Sequence, residues 1–580
     1  MNAHLLGALL AMAFTGPVGA GGVVSSKHNL SVSGPGTIKS STETEVCVFC
    51  HGSHNNADGH LNNRPASSAQ YLPYTSTTMR SPGALRPTGA SKICLSCHDG
   101  TIALGQMAGK KRRHVANADA EGRMPRGRSN LGTDLSGTHP FSIRPAPGAE
   151  HHAPAEHDAV HLDRSGELQC TSCHDPHRED ADPVQGKFLA KSNQASAICV
   201  SCHSMAGWSS NPSSHQASPT RFDKERGATT GYFTVADNGC ESCHQPHGAT
   251  TPKRLVKGDE ESVCLKCHDG RVSRHDVAAD LRKPYSHLTS REGGTAHDAS
   301  EGPGNDERRL PENRASQARH ATCVDCHDPH ESYAREARAP LAGGSLAGVW
   351  GIDRAGQRVE RVAYQYEVCF KCHGDSANKP QARGPTPPET LRRRTPDANL
   401  RRVFDALSPS YHPVAAPGRG ADVPSLVAPL TTASQVYCTD CHASDSGLGN
   451  KGAGPRGPHG SVYPHLLERN LSTADRTVES PAAYALCYKC HDRTVLLSDR
   501  SAFKPHARHL ADGIPCTACH ASHGVSSLQG NLQNNAHLID FDISIARPTE
   551  RGDLRYTSHG ARAGSCSVSC HGATHREKGY

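Results

Sequence analysis

The sequence predicts a mostly irregular fold with short α-helices and few β-strands, laid out as an extended array of about six similar modules whose core is not built from side chains. Two observations predict it. Hydrophobic residues make up only 35% of the 580 and aromatics 4%, against 55 glycines and 39 prolines, so apolar surface falls short of offsetting the entropy of so much loop. The second is a repeat: two cysteines three positions apart and then a histidine, seen most cleanly in Cys170-Thr-Ser-Cys173-His174-Asp-Pro-His177.

Two thiols in that spacing can form two thioether bonds to a haem while the imidazole takes its iron. Twelve copies use all 24 cysteines. The pairs are Cys47 and Cys50, Cys94 and Cys97, Cys170 and Cys173, Cys199 and Cys202, Cys240 and Cys243, Cys264 and Cys267. They continue with Cys323 and Cys326, Cys369 and Cys372, Cys438 and Cys441, Cys487 and Cys490, Cys516 and Cys519, and Cys566 and Cys570. The histidines that follow are His51, His98, His174, His203, His244, His268, His327, His373, His442, His491, His520 and His571. The expected cofactor is therefore covalent haem c, twelve per chain, and buried porphyrins become the missing apolar core. Structural zinc would merge two cysteine pairs into each site and does not call for a histidine after every second cysteine. The last copy has one extra residue between its thiols and is expected to close through a bulged loop.

Other histidines recur at fixed places. In five of six motif pairs the first member carries a second histidine three residues on: His54, His177, His247, His330 and His523. Two imidazoles on opposite faces of one iron hold their Cα atoms about 12 Å apart, whereas three extended residues span at most about 10 Å, so such a histidine has to serve a neighbouring haem. Upstream of each pair lies another candidate: His28, His139, His215, His287, His412 and His506. Each module then offers four imidazoles for two irons, and ligation is expected to be satisfied module by module. Module five lacks the second histidine, because Ala-Ser-Asp follows His442; His459 and His465 are its candidates, and without them one iron would be open. His161 and His320 are reserve ligands, and His114, His151, His152, His157, His275 and His297 are expected to be exposed. The last methionine is Met205, so histidine ligation and low potentials are expected over most of the chain.

The expected division is 1–20 as a signal peptide, then modules 21–130, 131–211, 212–284, 285–405, 406–498 and 499–580. The leader rests on the apolar run from Leu5 to Phe14 with a cut near Ala20, too short to span a bilayer, and no transmembrane segment is expected in the mature chain. The alternation Ile539-Asp-Phe541-Asp-Ile543-Ser-Ile545, followed by Leu554-Arg-Tyr556, predicts a hairpin by the last haem. A formal charge of +6 falls to about −6 once twelve ferric haems with their propionates are counted, so no nucleic-acid role is expected. The basic runs Lys110 to Arg113 and Arg392 to Arg394 are expected to be solvated loops.

The repeat of Cys170 to His177, the opening Ser26-Lys-His28-Asn-Leu-Ser31 and the tail from Phe541 to His575 resemble multihaem c-type cytochromes with doubled CxxCH motifs, as found in metal-reducing bacteria. The resemblance implies an exported protein in the periplasm, at the outer-membrane surface or outside the cell. It implies an electron carrier rather than an enzyme, a conduit to an extracellular acceptor such as a metal oxide. Other multihaem cytochromes and an outer-membrane porin are the partners it implies. Two further classes stand beside the conduit: a multihaem reductase with an open iron, and a polymerising filament subunit.

Overall fold

The computed structural model describes residues 22–580 apart from 53–62, 66, 77–78, 80, 82–85, 109–111, 209–212, 223–229, 252, 288–320, 376–391 and 421. The leader, His54, His297, His320 and the lysines of the first basic run lie outside the described residues. Packing separates two compact bodies, one from residues 1–204, 228–233 and 237–257, the other from 205–227, 234–236 and 258–580.

Regular structure in both bodies is short, as glycine and proline at this frequency require. The longest helices are Gly89–His98 and Gln365–His373, and both end on an attachment histidine. The second is capped by the Glu367 carboxylate, which accepts from the N–H groups of Ala363 and Tyr364 at 2.7 and 3.0 Å. Elsewhere the motif is little more than one turn. Cys170–Cys173, Cys323–Cys326 and Cys516–Cys519 are single α-turns, and Cys47–Phe49, Cys199–Ser201, Cys438–Asp440 and Cys487–Lys489 are 3-10 turns. In each, the histidine N–H donates to the first cysteine's carbonyl, at 3.0 Å for His174 and 2.8 Å for His51. Closing that turn puts both thiols on one side of the backbone.

Side-chain cores are small and separate. The largest gathers Ile352, Tyr366, Phe370, Phe404, Tyr411 and Val414, and another holds Phe49, Leu104 and Val115. Buried cations tie loops to motifs between them. Arg64, 4% exposed, donates to the carbonyls of Ser96, Ala103, Leu104 and Gln106, and to the Ser96 hydroxyl.

Two expectations are corrected at the C-terminal end. Residues 539–545 form a turn, not a strand; Phe541 and Ile545 are buried from it, and Asp542 pairs with Arg392 at 3.2 Å. The burial does not follow the alternation: Asp540, Phe541 and Asp542 are buried in succession while Ile543 is exposed. The sheet comes later, as antiparallel strands Arg555–Gly560, Ala563–Cys570 and Ala573–Gly579, with the middle strand bonded to both others. Likewise Arg393 is not solvated: at 5% exposure it donates to the carbonyls of Thr517, Asp540 and His520.

Candidate haem-ligand sites

With about 2 Å per metal–nitrogen bond and about 1 Å from that nitrogen to the ring centre, two imidazoles across one iron have centres about 6 Å apart. The structure can be tested against that separation. In the first body His51 and His177 stand 6.1 Å apart, His98 and His28 6.1 Å, His174 and His247 6.1 Å, and His203 and His139 6.2 Å. In the second, His268 and His215 are 6.1 Å apart, His327 and His459 6.2 Å, His442 and His523 5.8 Å, and His520 and His506 6.2 Å. Each of these eight pairs joins one attachment histidine to one candidate from elsewhere, a donor set that fits a bis-histidine haem.

The ring nitrogens are arranged to match. Nδ1 of His174, His327, His442 and His520 lies within hydrogen-bond reach of the carbonyls of Lys187, Ser345, His465 and His537, at 2.8 to 2.9 Å. That bond orients the ring and leaves Nε2 as the coordinating atom. Burial, and after it a neighbouring imidazole, holds the proton affinity of many of these rings far down, to about 4 for His28, His203, His268 and His491 and about 3 for His247, His373 and His506. Neutral rings with an available lone pair result. The imidazole that acts most on His373 is that of His287, and on His491 that of His412.

The pairing departs from the module-by-module expectation. His177 belongs to the third motif and faces the first; His247 belongs to the fifth and faces the third. His459 answers in the same way, facing His327 of the preceding module rather than His442, whose partner is His523. His465 offers only its backbone carbonyl to His442.

A backbone lock explains the pattern. Five of the six upstream histidines dock beside the residue that precedes the next module's donor. The His139 N–H donates to Pro246, and Nδ1 of His215, His287 and His412 bonds to the carbonyls of Pro329, Pro458 and Ser522 at 3.1, 2.7 and 2.5 Å. His28 lies beside the Pro176 backbone. The Pro-His dipeptide of residues 176–177, 246–247 and 329–330 recurs at 458–459 but also at 464–465, so it does not by itself choose His459 over His465; the packing of His459 against His327 does.

Of the remaining histidines, His330 stacks edge-on to Trp208 at 6.4 Å and His244 bonds to the Arg254 carbonyl at 2.8 Å. His151 is exposed, as expected, and lies 4.7 Å from His203. His161 turns Nδ1 to the carbonyl of Ala159 in its own loop.

The attachment turns also follow one another closely. The helix Gly89–His98 packs against the turn Cys170–Cys173, and Gln365–His373 against Cys438–Asp440, each time joining the second motif of one pair to the first motif of the next. Burial, and after it Cys97, raises the Cys50 thiol, and burial, and after it Cys202, raises Cys173 to about 12. Among the described residues no three His, Cys, Asp or Glu side chains converge as a metal cage.

The twelfth motif is different. Cys566 and Cys570 lie in an extended strand whose register shifts between Cys566 and Val568, and His571 occupies the hairpin turn with φ +48°. Its Nδ1 faces the Asp512 carbonyl at 3.1 Å and its Nε2 the Asp475 carboxylate at 2.7 Å. The ring expected to bind the twelfth iron is thus engaged on both nitrogens, because a two-residue β-turn replaces the helical attachment turn.

Repeated attachment turns, paired imidazoles and a scarcity of side-chain core are the features of multihaem c-type cytochromes. The family model of the doubled CXXCH motif matches residues 161–207, 234–272 and 428–496. The chain is also 27% identical over 172 residues to the multiheme cytochrome MtrA of Shewanella baltica (strain OS185), a match covering 28% of this chain and 36% of that protein. Among the described residues no helix is long and apolar enough to cross a membrane.

Proposed function

We propose that the chain is a dodecahaem conduit that carries electrons between periplasmic or outer-surface redox partners and an extracellular acceptor such as a metal oxide. The observation that carries this reading is the set of eight imidazole pairs at 5.8 to 6.2 Å on attachment turns that touch their neighbours. When bound, haem supplies reversible one-electron chemistry. The protein's part is to hold the rings in pairs, in seven of the eight with an Nδ1 tied to a carbonyl, so that no ligand has to move when the charge changes. Close spacing of the attachment turns keeps successive centres near one another.

In module five, where the sequence leaves room for an open iron, His442 is faced by His523, and its own His459 faces His327 of module four. That favours carrier over reductase. Export, other multihaem cytochromes as partners and a porin at the outer membrane belong to the same proposal, supported by the resemblance and by the partial match to MtrA. Purified holoprotein tests it through a haem count by intact mass and a ferric spin-state spectrum. Low-spin iron throughout and electron exchange with a second multihaem cytochrome are expected. Predominantly high-spin iron, or no exchange, would defeat the reading.

A further inference from the structure

We infer that the iron of the C-terminal haem is held by His509 and His575, and that His571, which follows the last cysteine, is not its ligand. This rests on the bis-histidine haem reading and concerns the one motif that breaks its rule.

Four observations carry it. His509 and His575 have ring centres 6.2 Å apart, within the range spanned by the other pairs, although neither directly follows a cysteine. The Nδ1 of His509 lies 2.9 Å from the Pro505 carbonyl, the same orienting bond that the attachment histidines make. His571 has both nitrogens engaged, one by the Asp512 carbonyl and one by the Asp475 carboxylate. In the sheet register His575 sits directly opposite Val568, which lies midway between Cys566 and Cys570, so strand pairing brings it level with the two thiols.

The placement of His506 explains why the rule changes here. Elsewhere the first motif of a module takes its second imidazole from the module that follows, as His51 does from His177 and His174 from His247. In the sixth module the upstream histidine, His506, turns instead to His520 of the first motif, with Nδ1 against the Ser501 hydroxyl at 2.8 Å. That leaves the last motif without its usual donor. One helical turn on, within His506–Ala511, His509 presents a second imidazole on the same face, and Phe503 packs against both rings.

The test uses full-length holoprotein and three variants, His509→Ala, His575→Ala and His571→Ala, each read by intact mass and by ferric electron paramagnetic resonance. Loss of either proposed ligand is expected to convert about one haem in twelve to high spin, and added imidazole should return it to low spin in a correctly folded variant. His571→Ala should leave every haem low-spin. High-spin iron in His571→Ala with none in His575→Ala would overturn the inference, as would a parent protein carrying eleven haems, all low-spin; neither result would touch the conduit reading. A parent that is itself largely high-spin would instead defeat the underlying haem reading.

Discussion

His51 and His177 stand 6.1 Å apart with their planes 13° from parallel, although they come from different motif pairs. The relationship means that a haem anchored in one module is completed by the next, so neighbouring modules cannot separate without exposing an iron. It also makes the ligand scheme open to single substitutions.

His177→Met is expected to raise the potential of the haem anchored by Cys47 and Cys50, since a thioether in place of an imidazole favours the reduced iron. The haem on Cys170 and Cys173 should be unchanged. Potentiometry with nuclear magnetic resonance assignment of the shifted centre checks this; a shift at the Cys170 haem would refute the crossed pairing.

His459→Ala should open the haem anchored by Cys323 and Cys326, producing one high-spin centre that binds carbon monoxide when reduced. His465→Ala should not, because His465 contributes a carbonyl rather than a ring. Equal effects from both variants would contradict the assignment.

Arg393→Met removes a buried cation from the carbonyls of Thr517, Asp540 and His520. Leaving those acceptors unpaired should cost about 3 kcal/mol. The denaturant midpoint of holoprotein should fall with little change in slope. An unchanged midpoint would show that water replaces the guanidinium at no cost.

Burial pushes the Asp158 carboxyl up, but Lys191, the Val160 N–H and the Ser201 hydroxyl outweigh it and hold the group down to about 2. Lys191 reaches both carboxylate oxygens at 2.8 Å and the Ser201 hydroxyl at 2.6 Å, tying the fourth attachment turn to its loop. A carboxyl depressed in the folded state contributes stability that is complete above the ordinary carboxylate range and is lost as pH falls toward 2. Asp158→Asn should therefore melt lower at neutral pH and show a shallower loss of stability between pH 5 and about 2. Parallel melting curves for the two proteins across that range would exclude the mechanism.

Much of the chemistry was legible in residue order because it is local. The turn that closes from His174 to Cys170 involves five consecutive residues, and its recurrence, with the small apolar fraction, is enough to name haem as the core and to foresee a fold of short helices and coil. The rule that a second imidazole three residues after the first cannot reach the same iron is local too, and the pairs of His177 with His51 and of His247 with His174 accord with it. The choice between His459 and His465 does not lie in the string, because a proline precedes both.

Which imidazole meets which was not written in any spacing. His177 and His51, His459 and His327, and His509 and His575 come together only because separate loops pack, and the contacts that select them are hydrogen bonds to backbone carbonyls, which any residue can offer. The C-terminal end misled for a related reason: alternating apolar residues at 539–545 fit a turn braced by Arg392 and Arg393 as well as a strand, and the strand that formed took in the last cysteine pair. Local order carries the motif; long-range packing chooses its partners, since the partner of each ring is set by loops that no short stretch of chain contains.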